Sequence, residues 1–206
     1  MAELTEREWK LIQYLNEAYG KEKELETALQ AHIGMTTRRP YKKRLQQHLR
    51  ETKGHARGVE RRIKQLGGRP QASQALTGKA MATAKGPVHA LRGTGEEEKL
   101  LKNAKTEYSE EAEEIATYTA IEAFADSVGD RDTARLARGI RREEERMASY
   151  LERLIPQLTK SVARSEVPAN QRRDGRRRST SRRRSGSRAA RARSRGGSSR
   201  SRRQRS

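Results

Sequence analysis

Apolar residues recur every three or four positions along most of the first 160 residues, and this spacing predicts amphipathic helices rather than strands. The first predicted helix begins at Thr5, because Thr5 and Glu8 stand at the spacing of a capping box. Its inward face reads Leu11, Leu15, Ala18, Glu22, Leu25, Leu29 and Ile33. Glu22 therefore interrupts an otherwise apolar face near the middle of the helix.

The second predicted helix starts near Pro40 and ends at Gly67 and Gly68, since proline suits a first helical position and glycine a helix end. Its inward face reads Tyr41, Leu45, His48, Thr52, His55, Val59, Ile63 and Leu66. Two histidines thus occupy a face that should be apolar, with Glu51 between them. His48 and His55 are either hydrogen-bonded core histidines or metal ligands, and the sequence leaves both interpretations open.

The third predicted helix opens with another capping box, Thr94 and Glu97, and ends at Gly129. Its inward face reads Leu101, Ala104, Tyr108, Glu111, Ile115, Tyr118, Ala125 and Val128. Glu114 lies one turn from Glu111. Two acids thus fall on or beside the inward face of this helix.

The fourth predicted helix extends from about Asp132 to Leu158. Its inward face reads Leu136, Ile140, Glu143 or Glu144, Met147, Leu151, Leu154 and Leu158. Once more an acid lies within the apolar face. Tyrosines on these faces are interpreted as core packing rather than redox groups, namely Tyr108, Tyr118 and Tyr150. His32, near a helix end, and His89, in a loop, are assigned no role.

These helices predict an all-α fold, with a four-helix bundle over residues 5–158 and a linker and tail over residues 159–206. The chain between the second and third helices is long enough to cross a bundle about 42 Å long. A crossover connection, with a short helix around residues 76–84, is therefore one path. An up-down-up-down arrangement is the other.

The acids on the four faces are predicted to meet in one central layer. A turn at residues 36–37 places Glu22 and Glu51 equally far from it, and a turn at residues 129–130 brings Glu114 and Glu144 nearly level. Taken singly, any of these acids could be an edge position paired with lysine or arginine. Burying unpaired carboxylates costs several kcal/mol each, so protons or cations must neutralise the four together. A pair of divalent metal ions would do so.

The last 36 residues differ sharply from the rest of the chain. Between Gln171 and Ser206 there are 16 arginines, nine serines and one aspartate, so this segment carries +15 of the net charge of +20. It has no apolar residue larger than alanine and cannot offset the entropy of ordering, which predicts a disordered tail.

Arginine pairs with phosphate in two-pronged fashion, so the tail is predicted to bind nucleic acid. No aromatic residue interleaves it, and binding should be non-specific and steeply dependent on salt. A solubilising tail without a partner is the alternative. The candidate phosphate-binding residues are Arg172, Arg173, Arg176, Arg177, Arg178, Arg182, Arg183, Arg184 and Arg188.

The chain contains no cysteine, which excludes a disulfide framework and a thiolate metal site. No segment approaches the roughly 20 apolar residues of a membrane span, and the N-terminus lacks the apolar core of a signal peptide. These features predict a soluble, cytoplasmic protein that does not contact membranes. Its tail predicts association with the nucleoid.

Three segments resemble the helices of small bacterial ferritin-like proteins of the YciE/YciF stress-associated type, formerly a domain of unknown function. The segments are LNEAYGKEKELETAL, HLRETKGHARGVERRIKQLG and EEIATYTAIEAFADSVGD, and the similarity covers about residues 9–158. It implies a ferritin-like four-helix bundle with a di-iron or di-manganese centre and homo-oligomeric assembly. The acids that match the pattern are Glu22, Glu51, Glu114 and Glu144.

The sequence departs from the usual ferritin-like ligand pattern in two helices. Glu51 and His55 stand four residues apart instead of three, and Met147 and Ala148 occupy positions where a histidine is expected. The departures predict a carboxylate-rich site with one histidine at most, which suits iron or manganese. The candidate ligands are Glu22, Glu51, His55, Glu111, Glu114, Glu144 and His48.

Two functions are compatible with these features. The first is a ferritin-like, metal-binding stress protein that oxidises Fe(II), with a tail that keeps it near nucleic acid. The alternative is a metal-free helical scaffold that binds or compacts nucleic acid through its basic tail.

Overall fold

The computed structural model describes residues 3–71 and 95–172. Within these ranges the chain forms four α-helices and no strand: α1 Glu6–Met35, α2 Arg39–Gln65, α3 Glu96–Ser127 and α4 Arg131–Glu166. The all-α prediction is confirmed. The predicted short helix at residues 76–84, the loop histidine His89 and the capping residue Thr94 lie outside the described residues.

The helix ends follow from local sequence signals at most positions. Thr5 and Glu8 form the predicted capping box, in which each side chain binds the backbone of the other residue. Gly67 and Gly129 adopt φ angles of 81° and 75°, a conformation that favours glycine after a helix. The helix-capping position of α3 is Gly95 rather than the predicted Thr94, and no side chain caps that end.

The contacts of α1 fix the directions of two other helices. Asn16 donates a hydrogen bond to the carbonyl oxygen of Arg69, just beyond the end of α2, at 3.2 Å. Arg7 donates to the carbonyl oxygen of Val128, just beyond the end of α3, at 3.4 Å. Because the first half of α1 meets the ends of both helices, α2 and α3 run parallel. The connection between them is therefore the long crossover and not an up-down-up-down path.

The apolar core is divided into two clusters by a layer of buried polar side chains. One cluster includes Leu11, Leu15, Val59, Ile63, Ile121 and Ile140. The other includes Leu25, Leu29, Leu45, Leu101, Met147 and Leu151. Burial of these side chains supplies the main driving force for packing the helices together. The polar layer thus sits in the middle of the bundle, enclosed at both ends by aliphatic side chains.

The inward face of α3 differs from the predicted face at one turn. Tyr108 is 38% exposed, whereas Glu107 is fully buried in its place. Both residues lie within one turn of Ala104, so helical spacing alone allows either to continue the face. The sequence predicted that either Glu143 or Glu144 lies on the inward face of the fourth helix. Glu144 does so and is fully buried, whereas Glu143 lies at the edge of that face.

The described chain divides after Val162: the bundle belongs to one compact unit, and residues 163–172 belong to another. Helix α4 continues past its predicted end at Leu158 to Glu166. No helix in residues 3–71 or 95–172 is long and apolar enough to span a membrane.

Candidate metal centre

The polar layer is built from six buried side chains that carry oxygen or nitrogen ligand atoms. All four helices contribute: α1 one acid, α2 two histidines, α3 two acids and α4 one acid. The six residues are Glu22, His48, His55, Glu111, Glu114 and Glu144. Four carboxylates and two imidazoles are thus gathered where the rest of the core is aliphatic.

His48 is held from outside the layer and points into it. Its Nδ1 atom lies 3.3 Å from Oε2 of Glu51, and its Nε2 atom lies 2.8 Å from Oε1 of Glu111. Hydrogen bonds from His48, Gln47 and Arg44, with the His48 bond contributing most, lower the pKa of Glu51 to about 2. Since ionised Glu51 can only accept, Nδ1–H of His48 donates, and Nε2 is the atom that faces the layer.

His55 is arranged in the same way from the opposite side. Its Nε2 atom lies 2.9 Å from Oε2 of Glu143 on α4. Its Nδ1 atom lies 2.8 Å from Oε1 of Glu144 and 3.6 Å from Oε1 of Glu22. Each histidine therefore has one ring nitrogen fixed by an outer carboxylate and the other directed at inner carboxylates, the arrangement typical of metal-ligating histidines.

Glu144 lies between the two histidines. Its Oε1 atom is close to Nδ1 of His55, and its Oε2 atom lies 3.6 Å from Nε2 of His48. Two groups of potential ligands share this residue, and within each group the ligand atoms lie within 4.8 Å of one another. One group contains Glu22, His55 and Glu144, and the other contains His48, Glu111 and Glu144.

The hydrogen bonding of the layer is incomplete, which tests whether metal ions fit it. Within the described residues, Glu111, Glu114 and Glu144 have both carboxylate oxygens buried without a hydrogen-bond partner. The inner histidine nitrogens approach carboxylates closely but without the alignment of a hydrogen bond. Orphaned buried oxygens are costly unless a cation or proton satisfies them, so the residues fit a pair of cations.

Protons neutralise the layer when no cation is bound. Burial and the neighbouring acids raise the pKa of Glu114 well above its usual range, and burial raises the pKa of Glu111 to about 8. Burial disfavours protonation of His48 and His55, but nearby carboxylates outweigh it and raise their pKa values to about 10 and about 11. The pKa of Glu144 is lowered, because the two histidines outweigh its burial.

Glu51 and Glu143 do not enter the layer, although both were candidates for its acidic positions. Their side chains are 20% and 36% exposed, and each contacts the outer nitrogen of a histidine. Both histidines of the predicted inward face enter the layer, although the departures from the ferritin-like pattern predicted one histidine ligand at most. His48 occupies the inward position one turn before Glu51, so α2 presents imidazoles to the layer and keeps its acid at the rim.

Tyr118 contacts the layer and was missed as a functional residue. It is buried, and its hydroxyl donates a 2.5 Å hydrogen bond to Oε1 of Glu22. Its predicted place in the core is observed, but its hydroxyl also fixes the orientation of one carboxylate. The signal for this contact was present in the sequence, because a buried tyrosine requires a partner for its hydroxyl.

Comparison with known proteins identifies related sequences and folds. The sequence profile of a family described as a domain of unknown function (DUF892) matches residues 7–164. A protein of Xanthomonas campestris pv. campestris has a similar structure, with a TM-score of 0.64 and 25% identity over 78% of this chain and 99% of that chain.

Two further structures share the fold. The Escherichia coli stress protein YciF aligns with a TM-score of 0.61 and 20% identity, covering 75% of this chain and 97% of that one. A dodecameric thioferritin, the bacterioferritin-related protein of Bacteroides fragilis, aligns with a TM-score of 0.61 and 22% identity, covering 78% and 92%. The four-helix bundle is therefore ferritin-like in fold.

Proposed function

This chain belongs to the DUF892 family, and from that premise we propose that its ferritin-like bundle binds a pair of divalent metal ions. The resemblance to YciE/YciF proteins predicted from the sequence is confirmed by the family match and by the likeness to YciF. The observation that supports metal binding is the buried layer of six ligand side chains, in which every carboxylate oxygen except Oε1 of Glu22 lacks a hydrogen-bond partner among the described residues.

The two ligand groups divide the layer into two cation positions. Glu22 and His55 would hold one ion, and His48 and Glu111 would hold the other, with Glu144 contributing an oxygen to each. Glu114 adds a further buried carboxylate beside them. Oxygen donors with two imidazoles suit Fe(II) or Mn(II) better than softer metals. A bound iron pair would supply the redox chemistry needed to oxidise Fe(II), with dioxygen or peroxide accepting the electrons.

The residues around the layer orient the ligands and keep water out. Glu51 and Glu143 accept the outer N–H groups of the histidines, which directs the inner nitrogen lone pairs at the layer. The aliphatic clusters on either side close the bundle above and below. A rigid, dry ligand set of this kind loses little entropy when a cation enters.

Metal content provides the direct test. Full-length protein purified without a chelator or an oligohistidine tag should contain at least two iron or manganese ions per chain by elemental analysis. Titrating Fe(II) or Mn(II) to about 100 times the dissociation constant should stabilise the fold by about 2.7 kcal/mol for each ion bound. A content below about 0.2 ions per chain, together with no rise in unfolding temperature, would refute the proposal.

A matched pair of variants locates the site on α4. Glu144→Gln replaces the carboxylate shared by both ligand groups with a neutral amide and should remove most of the metal-dependent rise in unfolding temperature. Glu152→Gln makes the same chemical change on the exposed side of the same helix and should behave like the wild type. Equal metal uptake by the two variants would contradict the assignment of Glu144.

We also propose that the arginine-rich tail binds nucleic acid without sequence specificity, holding the protein at the nucleoid in the cytoplasm. The supporting observation is the charge of +15 between Gln171 and Ser206. If about ten arginines contact phosphates, a plot of log binding constant against log salt should have a slope near −9 on duplex DNA. Affinity that is insensitive to salt would exclude this mode of binding.

Assembly into a homo-oligomer is proposed as well. The Bacteroides fragilis protein of similar fold is named as dodecameric, and this chain covers most of its length. Sedimentation velocity of the full-length protein should give a mass that is a multiple of 23.4 kDa. A single species at the protomer mass across micromolar concentrations would contradict the proposal.

A further inference from the structure

A third group of potential ligands lies between α1 and α3, apart from the six residues of the layer. It consists of His32, Glu107 and Glu110, and one ligand atom from each lies within 4.8 Å of the others. Nδ1 of His32 is in direct contact with Oε1 of Glu107. The sequence gave no role to His32, and the inward face predicted for α3 did not include Glu107.

Glu107 has the environment of a ligand rather than of a surface acid. Its side chain is fully buried, and its Oε2 atom has no hydrogen-bond partner among the described residues. Oε2 of Glu110 is likewise buried and without a partner. Two carboxylate oxygens are therefore left with neither a donor nor water, which is costly for ionised groups.

The neighbouring cations do not complete the group. His32 can carry one positive charge at most, against two carboxylates. Lys21 is the nearby lysine of α1, but its ammonium binds Glu113 at 2.8 Å. A histidine–glutamate ion pair leaves the second carboxylate to a proton, since burial and the neighbouring Glu107 raise the pKa of Glu110 to about 7, whereas a divalent cation would balance both carboxylates in their ionised form.

We propose that His32, Glu107 and Glu110 form a mononuclear site for a divalent transition metal ion. One imidazole and two carboxylates form a common ligand set for such ions, and three protein ligands leave positions for water. His32 is 13% exposed and Glu110 is half-buried, so the site is accessible from one side. This site does not depend on the pair of ions proposed for the central layer.

The site lies beside the layer without sharing a ligand with it. Glu107 precedes Glu111 by four residues and therefore faces the same way, one turn of α3 nearer the helix start. Along α1, His32 is ten residues from Glu22, or about 15 Å at the usual helical rise. Variants at one site can therefore be read separately from variants at the other.

Cobalt(II) titration of the full-length protein tests the proposal, because each bound ion adds visible absorption and can be counted. The wild type should bind three equivalents, and Glu107→Gln should bind two. Asp126→Asn, which removes a carboxylate charge from an exposed position near the other end of α3, should still bind three. Equal stoichiometry and affinity for Glu107→Gln and Asp126→Asn would overturn the site.

Glu144→Gln separates this proposal from that of the central pair. With the layer disabled, one equivalent should remain, and adding Glu107→Gln should remove it. If only the central pair of ions exists, Glu107→Gln will bind as many Co(II) equivalents as the wild type. If only the His32 site exists, the wild type will bind one Co(II) equivalent and Glu107→Gln will bind none. If Glu107→Gln does not fold, His32→Asn can replace it, because His32 is a less buried ligand. The affinity of His32→Asn for the third Co(II) ion must then be at least tenfold lower than that of the wild type.

Discussion

At the scale of single residues, Glu114 is the acid whose ionisation is least compatible with its surroundings. It is buried, both of its oxygens lack hydrogen-bond partners, and Glu22, Glu144 and Glu111 lie close enough to repel its charge. Burial and these neighbours hold its pKa well above the usual range. Burial and this repulsion therefore favour the protonated form of Glu114 in the metal-free protein.

Glu114→Gln should consequently separate folding from metal binding. Glutamine has nearly the shape of protonated glutamate, so the metal-free variant should unfold within roughly 3 °C of the wild type, a change of about 1 kcal/mol or less. The same variant should lose most of the stabilisation given by Mn(II), because an amide does not replace a carboxylate in charge. Differential scanning calorimetry with and without Mn(II) measures both effects. A large loss of metal-free stability would show that Glu114 is ionised.

Protons and metal ions compete for the same atoms of the layer. The pKa values of Glu111 and His48 are raised to about 8 and about 10, so both residues bind protons at pH 6. As the pH rises, fewer protons must be displaced, and affinity for Mn(II) should increase, roughly tenfold per pH unit for each proton released. Calorimetric titrations between pH 6 and 8 in buffers of different ionisation enthalpy would measure this release. A flat profile would contradict protonation of the layer.

At the scale of helices, the junction between α3 and α4 is fixed by a partly buried ion pair. Nη2 of Arg62, on α2, lies 2.7 Å from both carboxylate oxygens of Asp130, and Nε of Arg62 donates to Thr133. Asp130 also accepts a hydrogen bond from the backbone N–H of Thr133 at the start of α4. One carboxylate thus caps a helix and connects it to α2.

Replacement of this carboxylate should therefore destabilise the bundle. Asp130→Asn should lower the free energy of unfolding by about 2 kcal/mol, since it weakens a cap and a charged hydrogen bond. Asp132→Asn, at an exposed position near the same helix start, is the matched control and should change the free energy of unfolding little. Chemical denaturation of both variants measures the difference. Equal stability of the two would show that the pair contributes nothing.

The same residue predicts how stability depends on pH. Burial would raise the pKa of Asp130, but the Thr133 N–H and Arg62 outweigh it and lower the pKa below the usual value. The contribution of ionised Asp130 to the free energy of unfolding is therefore complete above the unfolded-state pKa of about 3.9. This contribution is lost as the pH falls through the lower folded-state pKa. The advantage of the wild type over Asp130→Asn should shrink below about pH 4.

Helical spacing explains both the successes and the errors of prediction at this scale. The face of α2 was predicted in full, because its apolar residues leave no ambiguity, and every predicted inward position from Tyr41 to Leu66 is buried. On α3, steps of three and of four residues from Ala104 reach Glu107 and Tyr108 respectively. Hydrophobicity favoured the tyrosine, whereas packing buried the acid beside His32.

At the scale of the whole molecule, charge and structure are distributed unequally. Residues 1–170 carry +5 and the remainder carries +15. The four helices end at Glu166, before the charged segment begins, and the Xanthomonas campestris structure matches 78% of this chain with 99% of its own. The tail should therefore be dispensable for folding.

Ending the chain after Asn170 tests this separation. The shortened protein should keep its unfolding temperature and its metal stoichiometry, since α1–α4 retain every residue of both proposed sites. Its retention by DNA at physiological salt should fall by at least tenfold, because a mixed charge of +5 releases few counterions. Gel-shift titration compares the two lengths. Undiminished retention would place nucleic-acid binding on the bundle.

The sequence by itself determined four helices and most of their inward faces, because the period of apolar residues and the capping signals are local properties of the chain. The ferritin-like bundle followed from the resemblance to the YciE/YciF family. The sequence also placed Glu22, Glu111 and Glu114 on or beside the inward faces, left His48 and His55 open between core residues and ligands, and left open the choice of Glu143 or Glu144. Only the tertiary structure decided that Glu51 and Glu143 lie at the rim and that His32 meets Glu107. Those outcomes depend on the distances between side chains on different helices. The spacing of residues along one helix does not determine these distances.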